Sequence, residues 1–221
     1  MDVTDAVAAR RSVRGFLDRP VAPELLRAIA VKAARAPSGG NLQPWHIDIV
    51  TGDTLAAITD AVGAKLMAGE KEAPAYAIYP PELGMPYEGR RVEIGEAMYG
   101  HLAISREDRA ARRAWFAGNF RFFGAPAGLF CTVSRYMGPP QWSDLGMYLQ
   151  SFMLLAVEAG LATCAQECWA MYPDTVTRAL GTPPARMLFC GMAIGYEDMT
   201  KPANRLRSPR APEDEWLTMR I

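Results

Sequence analysis

The run from Trp142 to Ala159 constrains the fold more than any other part of the sequence. Leu145, Leu149, Phe152, Leu155 and Ala159 recur at spacings of three and four, which places them along one side of a helix, and Gly160 supplies the stop. A helix this apolar belongs in the middle of a core. Around it lie short apolar runs, Gly128 to Val133, Leu161 to Ala165 and Met187 to Ile194, which read as buried strands bounded by turn residues. The chain therefore has to wrap strands and helices together.

The remaining elements follow from punctuation. Val3 to Arg10 reads as a short Ala-rich helix that ends where Ser12, Val13, Gly15 and Phe16 turn the chain extended. Pro23 suits the first turn of a helix over Glu24 to Arg35, with Leu25, Leu26, Ile29 and Ala33 on one face. His46 to Val50 is β-like, Gly52 and Asp53 form a turn, and Thr54 caps a helix to about Met67. Residues 70 to 90 are dense in Pro, Tyr and Gly and read as a lid or binding loop. Two helices, Arg91 to Ile104 and Glu107 to Phe116, follow as an insertion, so that the lid segment spans about 70 to 122 of a single domain over 1 to 221. Asp174 to Leu180 is a helix closed by Gly181.

Composition excludes several functions. The 221 residues carry 24 basic and 24 acidic side chains, so the footprint expected of a nucleic-acid or anionic-membrane binder is missing. No apolar stretch reaches the length of a membrane span, and Met1 to Arg11 lacks the pattern of a signal peptide. Cys131, Cys164, Cys168 and Cys190 form no CxxC pair and, with His46 and His101 far apart, offer no metal-ligand spacing. They read as buried thiols of a cytoplasmic protein.

Three separated clusters carry the chemistry. Arg10, Arg11, Ser12 and Arg14 place three guanidinium groups and a hydroxyl within five residues, a donor set suited to phosphate; it also suits a solvated helix end. Ala36 to Trp45 contains Pro37, Ser38, Gly39, Gly40, Asn41 and Gln43. Its glycines allow close backbone approach to a ligand, and its polar side chains match the edge of a heteroaromatic ring or a plain capped turn. It has neither the Walker lysine nor the dinucleotide GxGxxG spacing. The third cluster, Asn204 to Pro212 with Arg205, Arg207, Ser208 and Arg210, is a basic tail that could meet the first cluster on one phosphate, since chain termini often lie together. Beyond it, Trp216, Leu217, Met219 and Ile221 are apolar enough to pack on something, a partner subunit included.

Taken in this order, five runs resemble the nitroreductase family of FMN-dependent oxidoreductases: RRSVR at Arg10 to Arg14, APSGGNLQPWHI at Ala36 to Ile47, AGLATCAQECW at Ala159 to Trp169, GMAIGY at Gly191 to Tyr196, and the Arg-rich tail. NFRFFGAP at Asn119 to Pro126 and QWSDLGMYLQ at Gln141 to Gln150 are similar to the bacterial nitroaromatic and nitrobenzoate reductase branch. The resemblance implies an α+β fold, a mixed, mainly antiparallel sheet sandwiched by helices, in an intertwined homodimer with FMN at the subunit interface. It implies that Arg10, Arg11, Ser12 and Arg14 hold the FMN phosphate and the pyrimidine end of the ring, with Ser208 and Arg210 completing the phosphate grip. Pro37, Ser38, Gly39 and Asn41 would reach the flavin of the other subunit. The backbone N–H of Glu167 would face flavin N5, Ala165 and Gln166 would run along the ring, and Asn119 or Arg121 would meet the pyrimidine edge.

On this resemblance the expected activity is reduction of nitroaromatic or quinone-like acceptors by NADH or NADPH, in ping-pong fashion through the flavin. No side-chain acid or base is required, because the cofactor carries the hydride chemistry. Phe116, Phe120, Phe122, Phe123, Tyr76, Tyr79 and Trp115 are candidates to line an aromatic pocket. Arg14 stands where relatives commonly have Lys, Gly39 and Gly40 where others carry hydroxyls, and Ala165 where many have Pro. The alternatives within the fold are dehalogenation, enone reduction, dehydrogenation or flavin destruction; outside it, the alternative is flavin binding with little turnover.

Overall fold

The computed structural model describes residues 1–221. Four strands, β1 (His46–Thr51), β2 (Ala127–Ser134), β3 (Ala162–Gln166) and β4 (Arg186–Gly195), form one sheet in the order β1-β2-β4-β3, every neighbouring pair antiparallel. An isolated parallel bridge from Ser12 to Thr163 extends the sheet beyond β3. Seven helices pack around it: α1 (Val3–Ala9), α2 (Pro23–Ala33), α3 (Gly52–Ala68), α4 (Tyr87–His101), α5 (Arg109–Ala117), α6 (Pro139–Glu158) and α7 (Pro173–Leu180).

The central strands are apolar throughout because both sheet faces are covered. Along β2, Ala127, Leu129, Cys131 and Val133 face one core with Leu26 and Ile29 of α2 and Leu145, Tyr148, Leu149, Phe152 and Ala156 of α6. Phe130 faces the other, with Ile58 and Val62 of α3, Val176 of α7, and Phe120, Phe122 and Trp169. Each fully buried Leu or Phe contributes about 1.5–3 kcal/mol by leaving water. The central helix expected from the 142–159 periodicity thus lies where its pattern requires. It begins three residues earlier, at Pro139, because prolines suit a first helical turn, and the Gln141 side chain accepts from the Gly138 N–H at 3.2 Å.

Two local expectations are corrected. No separate turn divides β1 from α3: β1 runs to Thr51, Gly52 turns the chain at φ 53°, and Thr54 lies inside the helix instead of capping it. Helix α4 starts at Tyr87, before Arg91. A register shift between Cys131 and Thr132 leaves Phe189 unpaired in β4, and the Tyr76 hydroxyl donates to its carbonyl, pinning the start of the 70–90 segment to the sheet.

Helix α7 is capped from a distance. Its N-cap residue, Tyr172, makes no side-chain cap; instead Glu72 accepts from the N–H of Asp174 at 2.7 Å and of Thr175 at 3.2 Å, and also from the Thr175 hydroxyl. Burial pushes the Glu72 carboxyl up, but the bonds from Thr175 and Asp174 and the nearby Lys65 outweigh it and hold the folded pKa below the ordinary value. Such a group adds stability above its unfolded pKa, near 4.3, that is lost as pH falls through the lowered folded value. Glu72→Gln should therefore cost about 1–2 kcal/mol at neutral pH and flatten the acid limb of the stability curve. Thermal melts of parent and variant over the acid range test this; parallel curves would reject the cap.

Candidate cofactor site

After α1 the chain runs extended beside edge strand β3, with the Val13 N–H donating to the Thr163 carbonyl at 2.9 Å. Val13 is buried, which turns its neighbours Ser12 and Arg14 outward. Asn204 fixes this segment: its side chain accepts from the Arg14 N–H at 2.7 Å and donates to the carbonyls of Gly15 at 2.8 Å and Asp198 at 2.9 Å. The sequence groups Asn204 with the basic tail, but it is 5% exposed and acts as a clamp. Arg11 is committed elsewhere, to an ion pair with Glu197, whereas Arg10 and Arg14 have no carboxylate partner. Burial pushes the Cys164 thiol up; Arg14, Ser12 and Arg10 pull it the other way, which locates these three groups around β3.

Along β3 the alternation continues: Cys164 and Gln166 are buried, Ala165 and Glu167 exposed. The Gln166 amide donates to the carbonyl and side chain of Asn119 at 2.9 and 3.2 Å and accepts from the Trp169 indole at 3.3 Å. Its side chain is thus turned inward, leaving its backbone to face the strand edge, and it draws Asn119 to the end of β3. Arg121 is exposed. Partial burial of the carboxyl raises the Glu167 pKa from its ordinary value.

The Ala36–Trp45 segment forms a tight turn in which Gly40, Asn41 and Gln43 have φ of 57°, 56° and 50°. Left-handed backbone at non-glycine residues costs on the order of 1 kcal/mol each and persists only where surroundings impose it. Phe122 and Phe123 share this conformation at 48° and 52°, so four of the five non-glycine residues at positive φ, all but Ala103, lie in two of the segments expected to meet the cofactor. Ser38 accepts through its hydroxyl from the Gln43 N–H at 3.0 Å, and the Gly39 N–H donates to Asp144 of α6 at 3.2 Å.

Within one chain, hydrogen bonds and the sheet bring together Arg10, Arg11, Ser12 and Arg14 with Ala165, Gln166, Glu167 and Asn119. No hydrogen bond or ion pair links Pro37, Ser38, Gly39 or Asn41 to that group. Arg210 donates to Ser208 and Pro209 of its own segment, and both Ser208 and Arg210 border a cleft against Gly89 and Arg90 of α4. Of the candidate pocket aromatics, Phe120 and Phe122 belong to the core, Trp115 packs at a tilt against Phe123 with ring centroids 5.2 Å apart, and Tyr79 and Phe116 are exposed. Asp144 and Glu197 were not singled out in the sequence, although an Asp within the apolar stripe of a core helix is a readable signal. All four cysteines are free, and burial raises each thiol, Cys168 to about 12.

This donor set fits a flat, phosphate-bearing cofactor. Two uncompensated guanidinium groups and the Ser12 hydroxyl flank an edge strand whose outward side chain, Ala165, is small enough to admit a ring. The adjacent Thr163 hydroxyl is buried without a partner.

The sheet order, helices on both faces and an arginine-flanked strand define an α+β protein with two uncompensated guanidinium groups at the sheet margin. The sequence pattern of the Nitroreductase family matches residues 7–196, and the chain belongs to that family. It is 36% identical over 209 residues to the 4-nitrobenzoate reductase of Pseudomonas putida, covering 95% of this chain and 91% of the relative. It is likewise 36% identical over 221 residues to the nitrobenzene nitroreductase of Ectopseudomonas oleovorans, covering 98% and 96%. Among solved structures, the FMN and NADPH-dependent nitroreductase NfnB from Sphigopyxis sp. strain HMH superposes with a TM-score of 0.97 at 51% identity, over all of both chains. The FMN-dependent nitroreductase NfnB from Mycobacterium smegmatis, solved with NADPH, gives 0.93 at 28%, again over all of both chains.

Proposed function

We propose that this chain is an FMN-dependent reductase of nitroaromatic acceptors, drawing its electrons from NADPH or NADH and working as a homodimer with FMN at the subunit interface. The observation that carries the reading is the pair Arg10 and Arg14, uncompensated on the segment that runs beside β3, in a chain of this family. One solved relative described as FMN and NADPH-dependent and another solved in complex with NADPH favour NADPH as donor.

Bound FMN would supply the chemistry, taking hydride from the nicotinamide and passing it to the acceptor in alternating half-reactions. The chain's part is to bind and orient. Arg10, Ser12 and Arg14 would hold the phosphate and the pyrimidine end through charge-assisted bonds, with Arg210 and Ser208 closing on the phosphate as the tail settles in the dimer. Ala165 and the backbone of Gln166 would lie along the ring, and the N–H of Glu167 would fix the orientation of the reacting edge. Asn119 and Arg121 would approach the pyrimidine edge. Residues 70–122 would form the lid, shutting water from the acceptor.

The dimer has its own support. An apolar groove of about 540 Å³, lined by Leu26, Ala30, Trp45, Ile47, Ile49 and Tyr148, runs along the unpaired edge of β1. Trp216, Met219 and Ile221 of the tail stand exposed and need cover. A second subunit would satisfy both and would present Pro37, Ser38, Gly39 and Asn41 to its partner's flavin. No helix is long and apolar enough to cross a membrane, and a cytoplasmic location is part of this proposal.

The test is an anaerobic absorbance spectrum. The purified protein should be yellow, bleach on addition of NADPH, and recolour with a nitrobenzoate. Flavin that binds but does not bleach with either nicotinamide would move the function to flavin binding or to another donor, and protein that takes up no FMN would overturn the proposal.

A further inference from the structure

We infer that Asp144, on the core helix α6, is a positioning residue for the cofactor: its carboxylate holds the strained Gly39–Gln43 turn in the shape that meets the flavin. The inference rests on the proposed role of that turn.

The turn is held internally by short-range bonds alone. Asn41 N–H donates to the Ser38 carbonyl at 2.9 Å, Leu42 N–H to the Gly39 carbonyl at 3.2 Å, and the Gln43 amide to the Asn41 carbonyl at 3.1 Å. These bonds close the loop but do not orient it. The hydrogen bond to its backbone from another element is Gly39 N–H to Asp144 Oδ1. One helical turn further along α6, Tyr148 stacks on Trp45 with ring centroids 5.2 Å apart, and its hydroxyl donates to the Ala30 carbonyl of α2 at 3.1 Å. Positions i and i+4 share a helix face. Residues 144 and 148 therefore grip both ends of the Gly39–Trp45 stretch from one helix face, the face that α6 buries in the core through Leu145, Leu149, Phe152 and Ala156.

The setting of Asp144 argues against a chance contact. It is 3% exposed, and its Oδ2 is buried with no hydrogen-bond partner. A carboxylate kept in such a place at a desolvation cost, when an apolar residue would pack, calls for a reason. A short acceptor aimed at Gly39 is one. Gly39 and Gly40 have open space where a Cβ would stand, so the glycines do not brace the turn by packing. At this end of the stretch the orienting contact is the bond to Asp144, as the Trp45–Tyr148 stack is at the other.

Two variants separate the hydrogen bond from the charge. Asp144→Asn keeps an acceptor oxygen facing Gly39; Asp144→Ala removes it. Amide hydrogen exchange of residues 38–43 in the flavin-free protein should accelerate at least tenfold in Asp144→Ala and stay within about threefold of the parent in Asp144→Asn. The FMN dissociation constant should follow the same order, about tenfold weaker in Asp144→Ala with the asparagine variant close to the parent. Unchanged exchange and affinity in Asp144→Ala would overturn the inference, and so would an asparagine variant as impaired as alanine. If the alanine variant does not fold, Asp144→Ser, too short to reach Gly39, takes its place. Exchange is read without flavin, so a parent protein that fails to bind FMN sinks the functional proposal while leaving the loop result legible. A turn that loosens while FMN affinity holds would sink the cofactor link alone.

Discussion

Replacing Arg10 and Arg14 together with alanine should strip the protein of FMN while leaving it folded. Charge-assisted hydrogen bonds contribute about 1.5–3 kcal/mol each, so losing one from each guanidinium costs about 3–6 kcal/mol, a rise in dissociation constant of roughly 10²- to 10⁴-fold. The fold should tolerate the change because neither side chain has an ion-pair partner, and the segment stays anchored by buried Val13 and by the Asn204 bonds to Arg14 N–H and Gly15 carbonyl. Arg11→Ala provides the contrast. Arg11 is paired with Glu197, whose Oε1 is buried without a partner, and removing the guanidinium strands the carboxylate. That variant should lose stability and keep more of its flavin affinity. Equilibrium dialysis with FMN, beside a thermal melt of each protein, decides the matter. Stoichiometric FMN retained by the double variant would end the phosphate assignment.

The contrast between Arg10, Arg11 and Arg14 also marks where sequence reading stops. All three stand in one run and look equivalent as donors. Their different fates depend on Glu197, which lies 186 positions from Arg11 and reaches it because β4 ends beside the start of the chain. Helix α6 was legible because its apolar period is long and Gly160 ends it, whereas the Thr54 cap was misplaced because Gly52, at positive φ, makes the turn by itself. The strands were legible as apolar runs, but their order was not, since each central strand is buried on both faces and carries no alternation to orient it. Asp144 is conspicuous as a polar residue in the apolar stripe of α6 and Asn204 reads as part of the tail, but neither names its partner. A single polar residue reveals nothing of the backbone it binds until the chain has closed over a hundred positions.

Gly191→Ala should be among the most damaging single-methyl changes available in this chain. Gly191 sits mid-strand in β4, between Phe130 of β2 and Gln166 of β3. A Cβ there would lie 2.3 Å from Cδ1 and 2.8 Å from Nε1 of Trp169, distances that no real contact tolerates. Trp169 has nowhere to go. It is fully buried, with ring centroids 4.6 Å from Phe122, 5.1 Å from Phe130 and 5.4 Å from Phe120. Overpacking of this kind costs about 1–3 kcal/mol, and the rigidity of the aromatic cage places the cost at the upper end. For a domain of this size that lowers the melting temperature by about 5–10 °C. The damage should also reach the cofactor site. Trp169 donates to Gln166, Gln166 donates to Asn119, and Glu167 lies two residues before the indole, so displacing the ring disturbs the margin where the flavin would lie. FMN affinity should therefore fall in Gly191→Ala even where the variant remains folded. Gly63→Ala on α3, where an added Cβ meets nothing within 4 Å, should instead gain about 0.5–1 kcal/mol from the better helix former and leave flavin binding alone. A melting curve of Gly191→Ala that coincides with the parent's would show that Trp169 relaxes freely, and the coupling from core to site would have to be abandoned.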